Sequence, residues 1–234
     1  MFEKDEWMSE FYGTEWYHIK NPIKSEDLKN PYGSYFNKGM YEWRISASNY
    51  LELAEAQRLG FEIVETMIEF VTEIKPKETE CKNIRIAKKE DIEDILNLTI
   101  QCYSENENFY NRFKNKKYFS EEQQKEYFLS SIKNSFYDEN SINSVYLDGE
   151  KIVGYYMLKK TGENIYKGIM TALLPDYRGK NKHIDMQKFC FNKIKNNFKV
   201  INTTQLNNMF TINNHIKEGR KLNKITHILY KLNK

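Results

Sequence analysis

Between Phe61 and Ile74 the chain alternates: Val64, Thr66, Ile68 and Phe70 lie on one side, Ile63, Glu65, Met67, Glu69, Val71 and Glu73 on the other. A period of two predicts a strand. Before it the pattern predicts a short strand at Tyr41–Ala47 and a helix from Asn49 to Leu59 that Gly60 stops. Residues 1–40 are aromatic-rich and irregular, with turn signals at Asn21-Pro22 and at Asn30-Pro31-Tyr32-Gly33. Lys75 to Glu80 is charged, contains proline and has no period, which marks a linker. The expected division is 1–77 and 78–234.

The second unit opens with a strand at Asn83–Ala87. A helix follows over Lys88–Tyr103, with Ile92, Ile95, Leu96, Thr99 and Ile100 on one face. After a loop, Ser120 and Gln123 form a capping box for a helix reaching Phe136. Asp148-Gly149 turns a hairpin between Ser144–Leu147 and Lys151–Lys160. Then come a strand at Tyr166–Leu174, a turn at Pro175–Lys182, a helix at His183–Phe198, a strand at Val200–Gln205, a helix at Asn208–Glu218 and a strand at Lys221–Leu232. Hairpin strands between helices predict an α/β chain with a mixed sheet. There is also a faint repeat: Ser48-Asn49 and Gly60 are echoed 159 residues later by Asn207-Asn208 and Gly219.

Composition narrows the class. Hydrophobic residues are 40% of the 234, with 17 Tyr, 14 Phe and 3 Trp, so a packed core is expected despite 29% charge. The formal net charge of +3 argues against a nucleic-acid partner. Cys81, Cys102 and Cys190 show neither a disulfide framework nor metal-ligand spacing, and no metal is expected. The acidic start MFEKDEWMSE lacks a signal sequence, and no apolar run is long enough to span a bilayer. These features predict a soluble, cytoplasmic protein that does not act at a membrane.

The sharpest motif runs from Leu173 to His183, LLPDYRGKNKH. A strand ends in a glycine-containing turn and a helix starts at once. Unpaired N–H groups at such a start, with Arg178, Lys180 and Lys182 beside them, suit a pyrophosphate. The same run also reads as an ordinary turn with surface lysines. A second cluster, Arg112, Lys114, Lys116 and Lys117 among Phe109, Tyr110, Phe113, Tyr118 and Phe119, suits a nucleotide or reads as a solvated loop. His215 lies among Ile212 and Ile216 and reads either as a half-buried helix residue or as a proton carrier. His227 and Cys190 read as structural, and Asp91, Glu93 and Asp94 as first-turn helix acids.

The turn resembles motif A of the GNAT superfamily of N-acyltransferases, Arg/Gln-x-x-Gly-x-Gly/Ala. Arg178 and Gly179 fit, while Asn181 and His183 stand where the pattern has small residues. Asn208, His215 and Gly219 are similar to the family's closing Asn, Tyr and Gly, with His215 in place of the Tyr that protonates the departing thiolate. Tyr110-Asn111-Arg112-Phe113, Tyr127, Ser131–Ser135 and Glu6–Gly13 are similar to elements of dTDP-fucosamine N-acetyltransferases.

The resemblance implies a GNAT fold preceded by a smaller, degenerate GNAT-like half. It implies acyl-CoA, acetyl or longer such as 3-hydroxybutyryl, as co-substrate and a nucleotide-linked amino sugar as acceptor, with a homodimer as the assembly. The donor would lie on Ala172, Leu173, Arg178, Gly179, Lys180, Asn181, Lys182, His183 and Asn208, and the acceptor on Tyr110 and Arg112. Backbone N–H groups near Ala172-Leu173 would meet the oxyanion, and His215 would act as acid toward sulfur or relay the amine proton. The competing expectations are a GNAT-like binding module without catalysis and an enzyme that acylates a protein or a polyamine.

Overall fold

A computed structural model describes residues 2–20, 36–77, 82–106 and 110–234. The turn signals at 21–22 and 30–33, the end of the linker, Cys81 and Phe109 lie outside them. The strands are β1 (Phe2–Lys4), β2 (Trp16–Ile19), β3 (Gly39–Ser46), β4 (Glu62–Ile74), β5 (Ile84–Ile86), β6 (Ser141–Asp148), β7 (Lys151–Gly162), β8 (Ile165–Leu173), β9 (Phe198–Gln205) and β10 (Lys221–Asn233). The helices are α1 (Glu6–Tyr12), α2 (Tyr50–Arg58), α3 (Ile92–Thr99), α4 (Glu121–Phe136), α5 (Lys182–Phe191) and α6 (Met209–Lys217). Among the described residues, no helix is long and apolar enough to cross a membrane.

Three local expectations change. The segment read as irregular holds β1, α1 and β2. Helix α1 is capped by Asp5, whose side chain accepts from Met8 N, and stopped by the left-handed Gly13, but seven residues are too few to show a period. The helix expected over Lys88–Tyr103 begins as a 3-10 turn at Lys89–Asp91 and ends as a wider π turn at Ile100–Ser104. The helix expected to reach Phe198 stops at Phe191, where Lys193 N and Ile194 N bond back only three residues. This tightening turns Ile194 into the core and lets the chain reverse into β9.

Among the described residues the ten strands form one sheet in the order β1-β2-β3-β10-β4-β9-β8-β7-β6-β5. Two neighbouring pairs, β2/β3 and β8/β9, are parallel. The last strand is not beside its own unit's strands: β10 inserts between β3 and β4, antiparallel to both. The repeat explains this. Thr226↔Ser46 and Gln205↔Met67 are one pairing displaced by 159 residues in each partner, and Met67↔Thr226 lies at the centre. A pseudo-two-fold axis therefore passes through the β4/β10 pair. It relates β3–α2–β4 to β9–α6–β10, each crossing over a strand of the other.

The symmetry extends to the parallel ladders. The four pairs from Trp16↔Met40 to Ile19↔Trp43 match the four from Ile165↔Lys199 to Gly168↔Asn202. The helix starts match too: the Asn49 side chain accepts from Glu52 N, and that of Asn208 from Thr211 N. The first half thus repeats the strand-helix-strand of the second.

Because β10 and β9 flank β4, residues 1–77 alone lack the strands that cover both sides of β4. Expressed alone, they are expected to give a poorly dispersed amide NMR spectrum. Mixing with fragment 78–234 should restore dispersion; a folded isolated 1–77 would contradict the exchange.

Candidate functional site

The site begins where β8 and β9 part. Their pairing ends at Gly168↔Asn202 although both strands continue, to Leu173 and Gln205. Two features force the splay. Gly168 pairs with Leu158 and Met170 with Met157, which leaves Ile169 as a bulge that bends β8. The Asn202 amide also lies across the strand, where a Cβ on Gly168 would come within 2.2 Å of its Nδ2. The result is a cleft of about 520 Å³ walled by 168–173 of β8 and 202–205 of β9. Tyr103, Phe128, Phe210, Thr211, Asn214 and His215 complete its sides.

The open edge of β8 has a definite polarity. Tyr103 Oη donates to Thr171 O, and Arg178 Nε donates to Leu173 O at 2.9 Å. Both carbonyls therefore point away from β7. In a strand a residue's N–H points with its C=O, so the N–H groups of Thr171 and Leu173 face the cleft. Ala172 is paired across to Tyr155 of β7. Of the two residues expected to offer the oxyanion an N–H, Leu173 has the orientation. Ala172 contributes only cleft lining, and Thr171 was not anticipated.

At the mouth of the cleft, Pro175–Tyr177 forms a 3-10 turn, Gly179 takes φ +79° and Asn181 takes φ 57°. Asn tolerates this left-handed conformation better than other side chains do, so the turn forms without the motif's usual glycine. Tyr177 N and Arg178 N bond back to Leu174 O and Pro175 O, and Ile184 N and Asp185 N to Asn181 O. The N–H groups of Gly179, Lys180, Asn181, Lys182 and His183 between them have no acceptor among the described residues. Five consecutive donors of this kind at the start of a ten-residue helix are chemically suited to an anion. The nearby side chains are partly engaged elsewhere: Arg178 braces β8, and Lys182 Nζ donates to Tyr146 Oη at 2.7 Å and lies 4.1 Å from that ring's centre.

The floor, lined by His183, Gln187, Asn202 and His215, is backed by Arg220 and Glu218 in a polar network that the sequence reading missed. Arg220, 7% exposed, donates from Nε to Glu218 Oε2 at 2.6 Å and from its two other nitrogens to Asn202 Oδ1 and Gln187 Oε1. Glu218 also faces His183 Nε2 at 3.4 Å and His215 Nδ1 at 3.9 Å. Burial works to raise the Glu218 pKa, but His183, His215 and Arg220 outweigh it and hold the carboxyl well below its usual range. Burial pushes the His215 imidazole below its ordinary value against the pull of Glu218. His215 rests against the Phe70 ring, with centroids 5.0 Å apart. Asn208, the expected donor-binding residue, lines the cleft and caps α6.

The repeat sharpens the meaning of this network. At the related positions of the first half, Trp43 stands for Asn202, Ala56 for His215, Leu59 for Glu218 and Phe61 for Arg220. Trp43, Ala56 and Phe61 are buried in one apolar cluster, with Leu59 packed on it. The first copy is filled where the second is polar and hollow.

Tyr110 and Arg112 are not brought to the cleft. Arg112 lies beneath the first half, where its backbone N–H and Nη1 donate to Glu65 at 3.1 and 2.8 Å and its guanidinium lies 4.6 Å from the Phe113 ring centre. Burial works to raise the pKa of nearby Glu42, but Arg112 and Arg44 hold it below the ordinary value. The arginine expected to hold a diphosphate is enclosed among carboxylates because Glu65, on β4, faces this side of the sheet. Tyr110 is 42% exposed and also lies outside the cleft lining. His227 pairs across strands with Thr66, Oγ1 to Nδ1 2.9 Å. Among the described residues no group of three or more His, Cys, Asp or Glu is placed to hold a metal ion.

No protein-family model matches the chain, and no curated protein matches it in sequence. Solved structures do. A functionally unknown conserved protein from Staphylococcus epidermidis is 14% identical, with a TM-score of 0.63 over 94% of this chain and 85% of its own. A GCN5-related N-acetyltransferase from Sphaerobacter thermophilus is 13% identical, with a TM-score of 0.58 over 83% of this chain and 60% of its own. A tandem GNAT protein from the clavulanic acid biosynthesis pathway is 10% identical, with a TM-score of 0.53 over 82% of this chain and 63% of its own. The chain has the GNAT fold. The splayed β8/β9 pair lies in the later part of the chain, and the matching β3–α2–β4 unit precedes it.

Arg112→Ala is expected to lower folding stability by about 3–5 kcal/mol, because it removes the cation paired with buried Glu65. Urea denaturation measures this. A loss below about 1 kcal/mol would mean that the ion pair is effectively solvated.

Proposed function

We propose that this protein transfers an acyl group from coenzyme A to a primary amine in the β8/β9 cleft. The observation that carries this reading is the row of five free N–H groups at Gly179–His183, placed where two parallel strands part. The cradle fits a pyrophosphate. The open edge of β8 fits a pantetheine arm, with the N–H groups of Thr171 and Leu173 directed at it. Fixed donors of this kind in a low-dielectric site stabilise a thioester oxyanion, each worth roughly 2.7–4 kcal/mol. Lys180 adds positive charge at the cradle, and Arg178 keeps the end of β8 in place. The departures at Asn181 and His183 do not abolish the cradle, since Asn181 supplies the left-handed turn.

The acceptor we propose is a nucleotide-linked amino sugar. The described cleft wall carries Asn106, Thr203, Thr204, Gln205, Thr211 and Asn214, and Arg178 is its permanently charged member. Amide and hydroxyl groups match the hydroxyls of a sugar. A polyamine or lysine-rich peptide would call for carboxylates there instead. The acyl group is acetyl or a short hydroxyacyl chain.

Acetyl-CoA is expected to raise the melting temperature, and Asn181→Val to weaken that shift. A β-branched residue in a left-handed turn costs roughly 1–2 kcal/mol, which should loosen the cradle by about tenfold. No shift at millimolar acetyl-CoA would sink the acyltransferase reading.

In an assay pairing acetyl-CoA with dTDP-amino sugars, polyamines and peptides, turnover should be confined to the sugars. There His215→Phe should lower kcat by roughly 10²–10⁴ with donor KM unchanged. Wild-type turnover in that variant would show that His215 does not carry the proton.

A further inference from the structure

The floor of the cleft holds a carboxylate to which the reaction outlined above gives no task. Glu218 Oε2 accepts from Arg220, but Oε1 is sealed from solvent and accepts no hydrogen bond. Two ring nitrogens face this carboxylate, His183 Nε2 at 3.4 Å from Oε1 and His215 Nδ1 at 3.9 Å from Oε2. Both are likewise sealed and without a partner. A carboxylate can only accept, so each nitrogen facing it is better placed with its proton, and not its lone pair, directed at the negative charge. In a neutral imidazole the proton on one nitrogen makes the other an acceptor.

We infer that Glu218 is a positioning residue that fixes His215 as its neutral Nδ1–H tautomer, so that Nε2 meets the cleft as a lone pair and takes a proton from the acceptor's ammonium. The inference rests on the acyltransferase reading. It assigns His215 the part of base and not of acid toward sulfur. One ammonium N–H bond breaks as an Nε2–H bond forms. The freed nitrogen pair attacks the thioester carbon, a C–N bond forms and the C–S bond breaks, with its electron pair leaving on sulfur. Of the two protons the nitrogen loses, His215 passes the first to solvent and the second ends on the CoA thiolate.

The groups facing the imidazole are Glu218 on its own helix, Arg220 before β10, His183 on α5 and the Phe70 ring on β4. Burial, Arg220 and His183 all favour the neutral ring, and Glu218 alone opposes them. Removing the Glu218 charge should therefore leave the ring neutral but free its tautomer. Arg220 anchors the carboxylate from the other side, so Glu218 cannot swing to follow one histidine.

The test is a long-range ¹H–¹⁵N correlation spectrum of the ligand-free protein at about pH 7.5, with His215 assigned as the signal that H215Q removes. The expected wild-type ring is neutral and Nδ1-protonated. E218Q should add a clear Nε2–H population, lower kcat about tenfold or more, shift the acid limb of the kcat/KM profile to lower pH and leave acetyl-CoA KM unchanged. E218D should restore the tautomer. An Nε2–H ring in the wild type, or the same tautomer in E218Q, overturns the inference. If E218Q does not fold, the wild-type and E218D spectra decide it. Failure of acetyl-CoA to bind would remove the acyltransferase reading while the spectrum still reports the tautomer.

Discussion

The antiparallel pairing of β10 with β4 is the constraint on which the rest of the molecule depends. It lies on the pseudo-two-fold axis and joins the last strand of the chain to the middle of the first half. Neither half has a complete sheet without it. Since β9–α6–β10 must cross β4 to reach that position, α6 is held above β4, and His215 meets the Phe70 ring there. The same exchange brings Gly219 and Arg220 beneath the splay, where Arg220 reaches Asn202 and Gln187. The cleft floor is thus a consequence of strand exchange and not of the second half's sequence alone.

The two copies of the repeat divide the work. In the first copy, the space beneath the parallel ladder is filled by Trp43 and Phe61, which contribute burial to a chain that must also support a hollow. In the second copy the same space holds charges and amides that stabilise little by themselves. Burying Arg220 is tolerable because its guanidinium donates to Glu218, Asn202 and Gln187 together.

The cradle and the floor are parts of one device. His183 begins α5, where the free N–H groups lie, and its ring faces the carboxylate that also faces His215. Asn181 and His183, the two departures from the family pattern, have different consequences: the first preserves the backbone of the turn, and the second connects it to the floor.

Much of this was legible in the sequence because it depends on local rules. The period of two from Phe61 to Ile74, the Asp148-Gly149 hairpin, the Ser120/Gln123 capping box and the glycine-stopped helices all gave elements at or near their positions. The turn at Arg178–His183 was readable because a strand, a glycine and a helix start are adjacent in the chain. Arg112 was misplaced because a basic residue among aromatics looks the same whether it faces a ligand or a buried glutamate; only the facing of β4 decides that. Glu218 and Arg220 read as ordinary charges at a helix end. Their one sequence signal was the comparison between copies, where Leu59 and Phe61 stand opposite them. The sequence by itself determined the elements, the turn and the repeat, because these follow from spacing along the chain. Tertiary structure alone decided that β10 crosses into the first half, that β8 and β9 part at Gly168, and that Asn202, Gln187, Glu218 and the two histidines share one arginine-anchored floor. Those facts are contacts between residues far apart in sequence, and no periodicity records them.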